Sequence, residues 1–222
     1  AILAKGGLFQ KQEIIVSSSM AIKLIAEENN CFGEKFFVMG ELGSPCFAKD
    51  AGLKTERDPD KIHSCKGVIV GEGNYDWQKN FFAVFNYFIK KPKAWLVVPN
   101  PDSYWPDGSN GEIGIGAGGK ARFLCSLLKE YGIRVVPAYL GKPYRLIFEF
   151  AMRSLRELFP SPKKMKKRKI IMIGDSLRSD IKGGNLFGLT TILVMTGITK
   201  DLHLKNLKKN MSPSMVFKNI GD

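Results

Sequence analysis

The stretch Lys169–Gly197, KIIMIGDSLRSDIKGGNLFGLTTILVMTG, decides the fold of this chain. Ile170–Ile173 is a continuous apolar run, which is typical of a strand buried on both faces. Asp180–Leu186 carries a helical pattern that Gly188 ends. A second apolar run, Thr191–Met195, predicts another buried strand. The stretch is therefore a strand–helix–strand unit of a parallel sheet.

An acidic loop follows the first strand of this unit. Gly174 ends the strand, and Asp175, Ser176 and Asp180 come directly after it. Open α/β sheets bind ligands at the carboxyl ends of their strands, and carboxylate oxygens suit Mg²⁺. Buried strands also end in Gly-Asp simply to make a turn. The loop therefore predicts a metal site only together with a second signal.

A lysine precedes this unit by about thirty residues, which is one strand–helix step of an open sheet. Gly141-Lys142-Pro143 stands before a long helical segment, and Pro143 suits a first helical turn. Lys142 would direct an ammonium at an anion above the sheet, where a helix N-terminus adds its dipole. Most lysines in such loops are merely solvated, so the lysine and the acidic loop support each other only in combination.

The rest of the chain alternates between strand and helix patterns. Strands are predicted at residues 13–16, 35–40, 66–71, 94–98 and 134–136. Helices are predicted after the capping serines 17–19, between Ser44 and Gly52, and at 75–89, 121–131 and 144–159. This alternation predicts an α/β fold with a mostly parallel sheet and helices on its faces.

Composition excludes several classes. The 222 residues are 44% hydrophobic, which is enough for one substantial core or for a core split by a smaller domain. No apolar run approaches the ~18 residues of a membrane span. Four cysteines without a CxxC pair and two histidines make a disulfide framework and a zinc site poor interpretations. We expect a reducing cytoplasm and no membrane association.

The net charge of +13 lies mostly in the last third of the chain, and much of it in a basic tract at Lys163–Lys169. Such a tract binds nucleic acid or anionic membranes in some proteins. It is equally a solvated loop between a helix and the strand at Ile170. Because no aromatic residues are interleaved with it, we favour the solvated loop and expect no specific nucleic-acid binding.

These motifs, in this order, resemble the haloacid dehalogenase (HAD) superfamily, class IIA, the NagD/p-nitrophenylphosphatase-like hydrolases. The matching segments are Gly141–Pro143, the GDSLRSD loop, Leu193–Gly197, Val68–Asn80, Val97–Asp102 with Pro106, and the glycine-rich Gly114–Gly119. The resemblance implies a HAD-like Rossmannoid parallel sheet core with a large inserted α/β cap domain. Residues 1–30 and 138–222 would form the core, and residues 31–137 the cap.

The resemblance also implies roles for named residues. Lys142 would bind the phosphate and act in catalysis, and Asp175 would bind Mg²⁺ directly. Asp180 would hold a metal-bound water or orient Lys142, with support from Gly174 and Ser176. Asn100 and Asp102 are candidates for substrate contacts from the cap. The reaction would be Mg²⁺-dependent hydrolysis of a small phosphate monoester, such as a sugar phosphate or nucleotide, through an aspartyl-phosphate intermediate.

One part of the family pattern is not found. The nucleophile should be the first Asp of a D-x-D-G motif after a central strand, but the only D-x-D here is Asp58-Pro59-Asp60. No apolar strand precedes it and no glycine follows, so we interpret it as a surface turn. We expect the motif, with the strand that should pair with Ile170–Ile173, in an N-terminal segment that these residues lack. The strand at Ile170–Ile173 would then have an unpaired apolar edge.

Two further interpretations bear on function. Gly114, Gly116 and Gly119 fit G-x-G-x-x-G, but no apolar strand leads into them, so we expect a turn-rich cap loop and no nucleotide loop. The alternative function is a catalytically inactive HAD-like protein that binds or regulates anionic partners. The expected partner is otherwise a small phosphorylated metabolite, and the sequence allows a homo-oligomer.

Overall fold

The computed structural model describes residues 15–107, 112–158 and 166–221. Its strands are β1 Lys35–Met39, β2 Lys54–Glu56, β3 Gly67–Val70, β4 Trp95–Val98, β5 Tyr104–Asp107, β6 Glu112–Ile115, β7 Ala138–Tyr139, β8 Ile171–Gly174, β9 Thr190–Val194 and β10 Met215–Phe217. Its α-helices are α1 Ile22–Glu28, α2 Phe47–Asp50, α3 Trp77–Lys90, α4 Ala117–Glu130, α5 Arg145–Leu158 and α6 Lys182–Phe187. Five 3₁₀-helices, Ser18–Ala21, Pro59–Ser64, Lys167–Lys169, Asp201–Leu204 and Lys209–Met211, and a π-helical turn at Leu177–Ile181 complete the described elements.

A five-stranded parallel sheet, in the order β2-β1-β3-β4-β7, forms the larger half of the fold. Successive side chains of a strand point to opposite faces, and in β1 both faces are buried. Phe36 and Val38 pack in one core cluster with α1, α2 and α5. Phe37 and Met39 pack in the other cluster with α3 and α4. Helical layers therefore cover both faces of this sheet, as the alternating pattern predicts.

A second parallel sheet, in the order β10-β9-β8, carries the stretch that decides the fold. The predicted burial of its first strand on both faces is wrong, because Ile171 and Ile173 are 54% and 52% exposed. Among the described strands β8 pairs with β9 alone, so its other edge is unpaired. The apolar open edge stays a prediction, since residues 1–14, 108–111 and 159–165 lie outside the described ranges.

Several predicted elements differ in the structure, and the helix predicted between Ser44 and Gly52 covers only Phe47–Asp50. The strand predicted at 134–136 is wrong, since that segment is irregular and the short strand β7 begins at Ala138. Ile15 and Val16 lie outside any strand, and the other residues of the strand predicted at 13–16 lie outside the described ranges. The helix predicted from residue 121 already begins at Ala117, within the glycine-rich segment. Ser17 caps the first 3₁₀-helix as predicted.

The two sheets come from separate parts of the chain. Strands of the larger sheet lie between residues 35 and 139, and strands of the smaller one between residues 171 and 217. The division into a core and an inserted cap remains a prediction. Within the described ranges, no helix has both the length and the apolar character to cross a membrane.

Candidate active site

The acidic loop lies at the carboxyl end of β8, where it leads into the π-helical turn. Ser176 is the N-cap of that turn, and its hydroxyl accepts a hydrogen bond from the Ser179 N–H at 3.2 Å. The turn brings Asp180 back over the strand end. A Cβ on Gly174 would lie 2.3 Å from the Asp180 carboxyl carbon, so only glycine fits there. The predicted supporting residues thus shape the loop.

Asp180 is almost fully buried, and hydrogen bonds occupy both of its carboxylate oxygens. Its Oδ2 accepts the backbone N–H groups of Asp175 and Ser176, each at 3.1 Å. Its Oδ1 lies 2.5 Å from Lys142 Nζ. A buried carboxylate needs such partners, because desolvation of a charge is costly. Of the two roles expected for Asp180, the geometry matches the one of orienting Lys142.

Lys142 lies in the loop between β7 and α5, three residues before the helix begins at Arg145. Gly141 donates its N–H to Pro99 O at 2.9 Å, which fixes this loop against the end of β4. The Lys142 side chain is 45% exposed, whereas the Asp180 side chain is 4% exposed. Asp180 therefore binds the lysine from the buried side, while the lysine side chain remains accessible to solvent. An external anion needs this access in order to bind.

The Asp175 carboxylate is fixed by the segment that follows β9. Ile198 donates its N–H to Asp175 Oδ2 at 3.0 Å. Thr199, 3% exposed, donates its hydroxyl to the Asp175 carbonyl at 2.6 Å. Gly197 leaves space for the Asp175 carboxylate, because a Cβ at this position would overlap it. Sequence reasoning recognised the Thr-Gly end of this strand but missed Thr199, which carries no motif signal of its own.

The loop after β4 brings a further carboxyl group to the site. Burial raises the pKa of Asp102 above its ordinary value, while the Lys142 charge lowers it and the Asp180 charge raises it. Asp102 therefore lies within electrostatic reach of both predicted site residues. The Asn100 side chain is engaged in two hydrogen bonds within the protein. Its Nδ2 donates to Glu72 Oε1 at 3.0 Å, and its Oδ1 accepts the Asp102 N–H at 3.1 Å.

The glycine-rich segment adopts a different structure from the one predicted. Gly114 lies in β6, and Gly118 and Gly119 lie in the first turn of α4, so the predicted turn-rich loop is wrong. A Cβ on Gly118 would lie 2.0 Å from Pro101 O, and one on Gly119 would lie 2.4 Å from Ser103 O. These glycines let the helix backbone pack directly on the loop that carries Asn100 and Asp102.

Two other acidic and basic signals do not join the site. Asp58 caps the 3₁₀-helix Pro59–Ser64, and Asp60 pairs with Lys79 at 3.5 Å, as fits a surface turn. The described part of the basic tract forms the 3₁₀-helix Lys167–Lys169 before β8, where Arg168 O accepts the Thr190 hydroxyl. In a parallel sheet this is the amino-terminal edge, opposite to Asp175; residues 163–165 of the tract lie outside the described ranges.

The donor chemistry at the β8 end suits a hard cation in part. Asp175 offers one carboxylate oxygen, Oδ1, that accepts no hydrogen bond within the described residues. No group of three or more Asp, Glu, His or Cys side chains that could hold a metal occurs in the described ranges. Mg²⁺ commonly binds through one or two carboxylates, with waters and substrate phosphates filling the other positions. The residues present fit such a sparse site.

Sequence reasoning also missed Glu72 and Lys120. Glu72 follows β3 in Val70-Gly71-Glu72, which repeats the strand–Gly–acid pattern of Ile173-Gly174-Asp175. That pattern was the available signal. Lys120 lies in the first turn of α4 and pairs with Glu72 at 3.6 Å.

Comparison with known proteins gives consistent findings. The HAD-hydrolase-like family model matches residues 139–222. Ribonucleotide monophosphatase NagD of Escherichia coli is 28% identical over 198 residues, covering 88% of this chain and 68% of NagD. Acid sugar phosphatase of Staphylococcus haemolyticus is 25% identical over 209 residues, covering 94% of this chain and 70% of that protein.

Solved structures agree with the fold. Glycerol phosphate phosphatase Rv1692 from Mycobacterium tuberculosis, in complex with magnesium, superposes with a TM-score of 0.76 at 18% identity. The superposition covers 98% of this chain and 60% of that one. The chain thus spans roughly two thirds of the length of these relatives.

Proposed function

We propose that the chain is a haloacid dehalogenase-like hydrolase, in the class of NagD and the p-nitrophenyl phosphatases, and that it holds the phosphate and the metal ion of a phosphatase that hydrolyses small phosphate monoesters. The observation that carries this proposal is Lys142, whose ammonium is fixed at 2.5 Å by the buried Asp180 and open on its other side. In phosphoryl transfer most of the catalysis is positioning and charge stabilisation.

Each residue has a proposed part. Lys142 binds the equatorial phosphate oxygens, and Asp180 keeps its ammonium in place. Asp175 presents its Oδ1 as the direct ligand of Mg²⁺, while the Ile198 N–H holds the other oxygen. When bound, Mg²⁺ supplies positive charge that stabilises the phosphoryl oxygens. Ser176 and Gly174 hold the loop in shape.

The group that attacks phosphorus is also part of the proposal. Among the described site carboxylates, Asp180 is engaged by Lys142 and two backbone N–H groups. Asp175 is assigned to the metal ion and Asp102 to the substrate. We propose that the nucleophile is the first Asp of a D-x-D-G segment outside these 222 residues. Its carboxylate would displace the leaving alcohol and form an aspartyl-phosphate, which water then hydrolyses.

The names of the relatives support a class of substrate. NagD is a ribonucleotide monophosphatase, and the Staphylococcus relative is an acid sugar phosphatase. We propose a nucleotide, a sugar phosphate or a metabolite of similar size. Asp102, which lies within electrostatic reach of Lys142, would contact the substrate, and Asn100 would do so directly or through Asp102. A cytoplasmic location fits such a substrate and remains part of the proposal.

Asp175→Asn tests the metal role. In the protein that carries the D-x-D-G segment, we expect this change to abolish Mg²⁺-dependent turnover of p-nitrophenyl phosphate, because an amide is a far weaker Mg²⁺ ligand. The matched control is Asp50→Asn, an exposed Asp in α2 that should leave the rate unchanged. Wild-type rates in Asp175→Asn would contradict the assignment.

The alternative, an inactive module that binds anionic partners, shares the anion site and differs only in the nucleophile. Reading the coding sequence upstream of Ala1 separates the two. An apolar strand followed by D-x-D-G supports the enzyme. Its absence, together with no turnover of p-nitrophenyl phosphate, supports the binding module.

A further inference from the structure

Glu72 follows β3 and connects it to the loop after β4 and to the start of helix α4. Its Oε1 accepts hydrogen bonds from Asn100 Nδ2, at 3.0 Å, and from the Ala117 N–H, at 2.9 Å. Its Oε2 lies 3.6 Å from Lys120 Nζ. Ala117 is the first residue of α4, whose N-cap Gly116 has no side chain to satisfy it, so Glu72 caps the helix from outside.

The cation behind Glu72 is buried. The Lys120 side chain is 4% exposed, and Glu72 is the one carboxylate it reaches within the described ranges. The rings of Tyr75 and Trp77 lie 5.1 and 6.0 Å from its ammonium. A buried ammonium is tolerated only beside an opposite charge or an aromatic face. The Glu72 carboxylate therefore serves as the counter-ion of this buried lysine.

Glu72 is connected to the candidate site by a short series of hydrogen bonds and packing contacts. Glu72 binds the Asn100 amide, and the Asn100 carbonyl binds the N–H of Asp102. The loop is packed on its other side against Gly141, where a Cβ would lie 2.6 Å from the Pro101 ring. Gly141 directly precedes Lys142. A shift of this loop would therefore move Asp102 relative to the ammonium.

We propose that Glu72 is a positioning residue, whose carboxylate oxygen accepts the Asn100 hydrogen bond and so holds the Asn100–Asp102 loop against the phosphate-binding lysine. The proposal rests on the function proposed above, since it gives Glu72 a part in that same site. Glu72 touches no reacting group. It acts through Asn100, and its acceptor oxygen matters more than its charge.

Paired substitutions separate the acceptor from the charge. Glu72→Leu/Lys120→Met removes both charges together with the acceptor, and leaves no buried ion unpaired. Glu72→Gln/Lys120→Met also removes both charges but keeps an oxygen that Asn100 and Ala117 can bind. Glu34→Leu/Lys66→Met is the control, since it removes a 3.0 Å ion pair that does not contact the loop.

Amide hydrogen exchange of the full chain is the first measurement. In Glu72→Leu/Lys120→Met we expect the Asp102 amide to lose about tenfold of its protection relative to the core amide of Ile69, as for one lost hydrogen bond. The Gln variant and the control pair should keep wild-type protection. Wild-type protection of Asp102 in the Leu variant would overturn the proposal.

Binding of inorganic phosphate, followed by NMR titration, is the second measurement. We expect affinity to fall several-fold in Glu72→Leu/Lys120→Met and to return in Glu72→Gln/Lys120→Met, which a purely structural role would not predict. Equal affinities in all variants, with phosphate bound by the wild type, would also overturn the proposal. If the wild type itself binds no phosphate, the proposed function fails, and hydrogen exchange still decides the part of Glu72.

Discussion

Two lysine–carboxylate pairs lie at the carboxyl ends of the two sheets, and their burial is opposite. In Lys142–Asp180 the carboxylate is 4% exposed and the lysine 45% exposed. In Lys120–Glu72 the lysine is 4% exposed and the carboxylate 37% exposed. The first pair therefore presents a cation to the outside, and the second hides one.

The difference shows that the residue types of an ion pair do not by themselves determine its function. A buried carboxylate behind an open ammonium makes an anion site, because the ammonium keeps its charge and its free donors. A buried ammonium behind an open carboxylate makes a structural clamp, because the cation has no access to a ligand. The predictions below test that distinction.

The largest expected effect comes from breaking the buried pair on one side. Glu72→Leu leaves the Lys120 ammonium buried without its counter-ion, which should lower the free energy of unfolding by about 3–5 kcal/mol. Lys142→Met leaves Asp180 with its backbone donors, so the loss should be smaller, about 1–3 kcal/mol. Urea denaturation measures both. Equal losses would show that burial does not distinguish the pairs.

The next effect concerns anion binding. Lys142→Met should weaken binding of inorganic phosphate at least tenfold, as loss of a charge-assisted contact predicts. Lys120→Met, the matched substitution in the other pair, should change it less than twofold because this lysine is closed off from solvent. Isothermal titration calorimetry gives both values. A larger effect from Lys120→Met would reverse the assignment of the two pairs.

The smallest effect depends on pH. Since desolvation raises the pKa of Asp102, this carboxyl remains neutral to a higher pH than an ordinary Asp and becomes negative above it. Its negative charge beside Lys142 should then weaken sulfate binding by about two- to threefold as pH rises through that pKa. Sulfate keeps its charge over this range. Asp102→Asn should flatten the dependence, and an unchanged pH profile in that variant would exclude Asp102 as its source.

Much of the fold was predictable because its signals are local. The apolar run in β1 and the capping serine before α1 follow from side-chain period and hydrogen-bonding capacity. The exposure of Ile171 and Ile173 was not predictable, because an apolar run has the same sequence pattern in a central strand and in an edge strand. Only the neighbouring strands decide which it is.

The candidate site divides in the same way. Lys142, Asp175 and Asp180 stand beside turn glycines and strand ends, so residue order alone suggested them. Thr199 and Glu72 act through contacts that span 24 and 28 to 45 positions of sequence. Such partners have no spacing rule that a sequence could reveal.

The sequence by itself determined the α/β alternation, the resemblance to the haloacid dehalogenase superfamily and the order of lysine and acidic loop along the chain, because these depend on local pattern. Tertiary structure alone decided that Asp180 holds Lys142 and that Glu72 holds Asn100. It also decided which member of each ion pair faces solvent. Burial is a property of the whole packed chain, and it sets whether a charge is available to a ligand or committed to the fold.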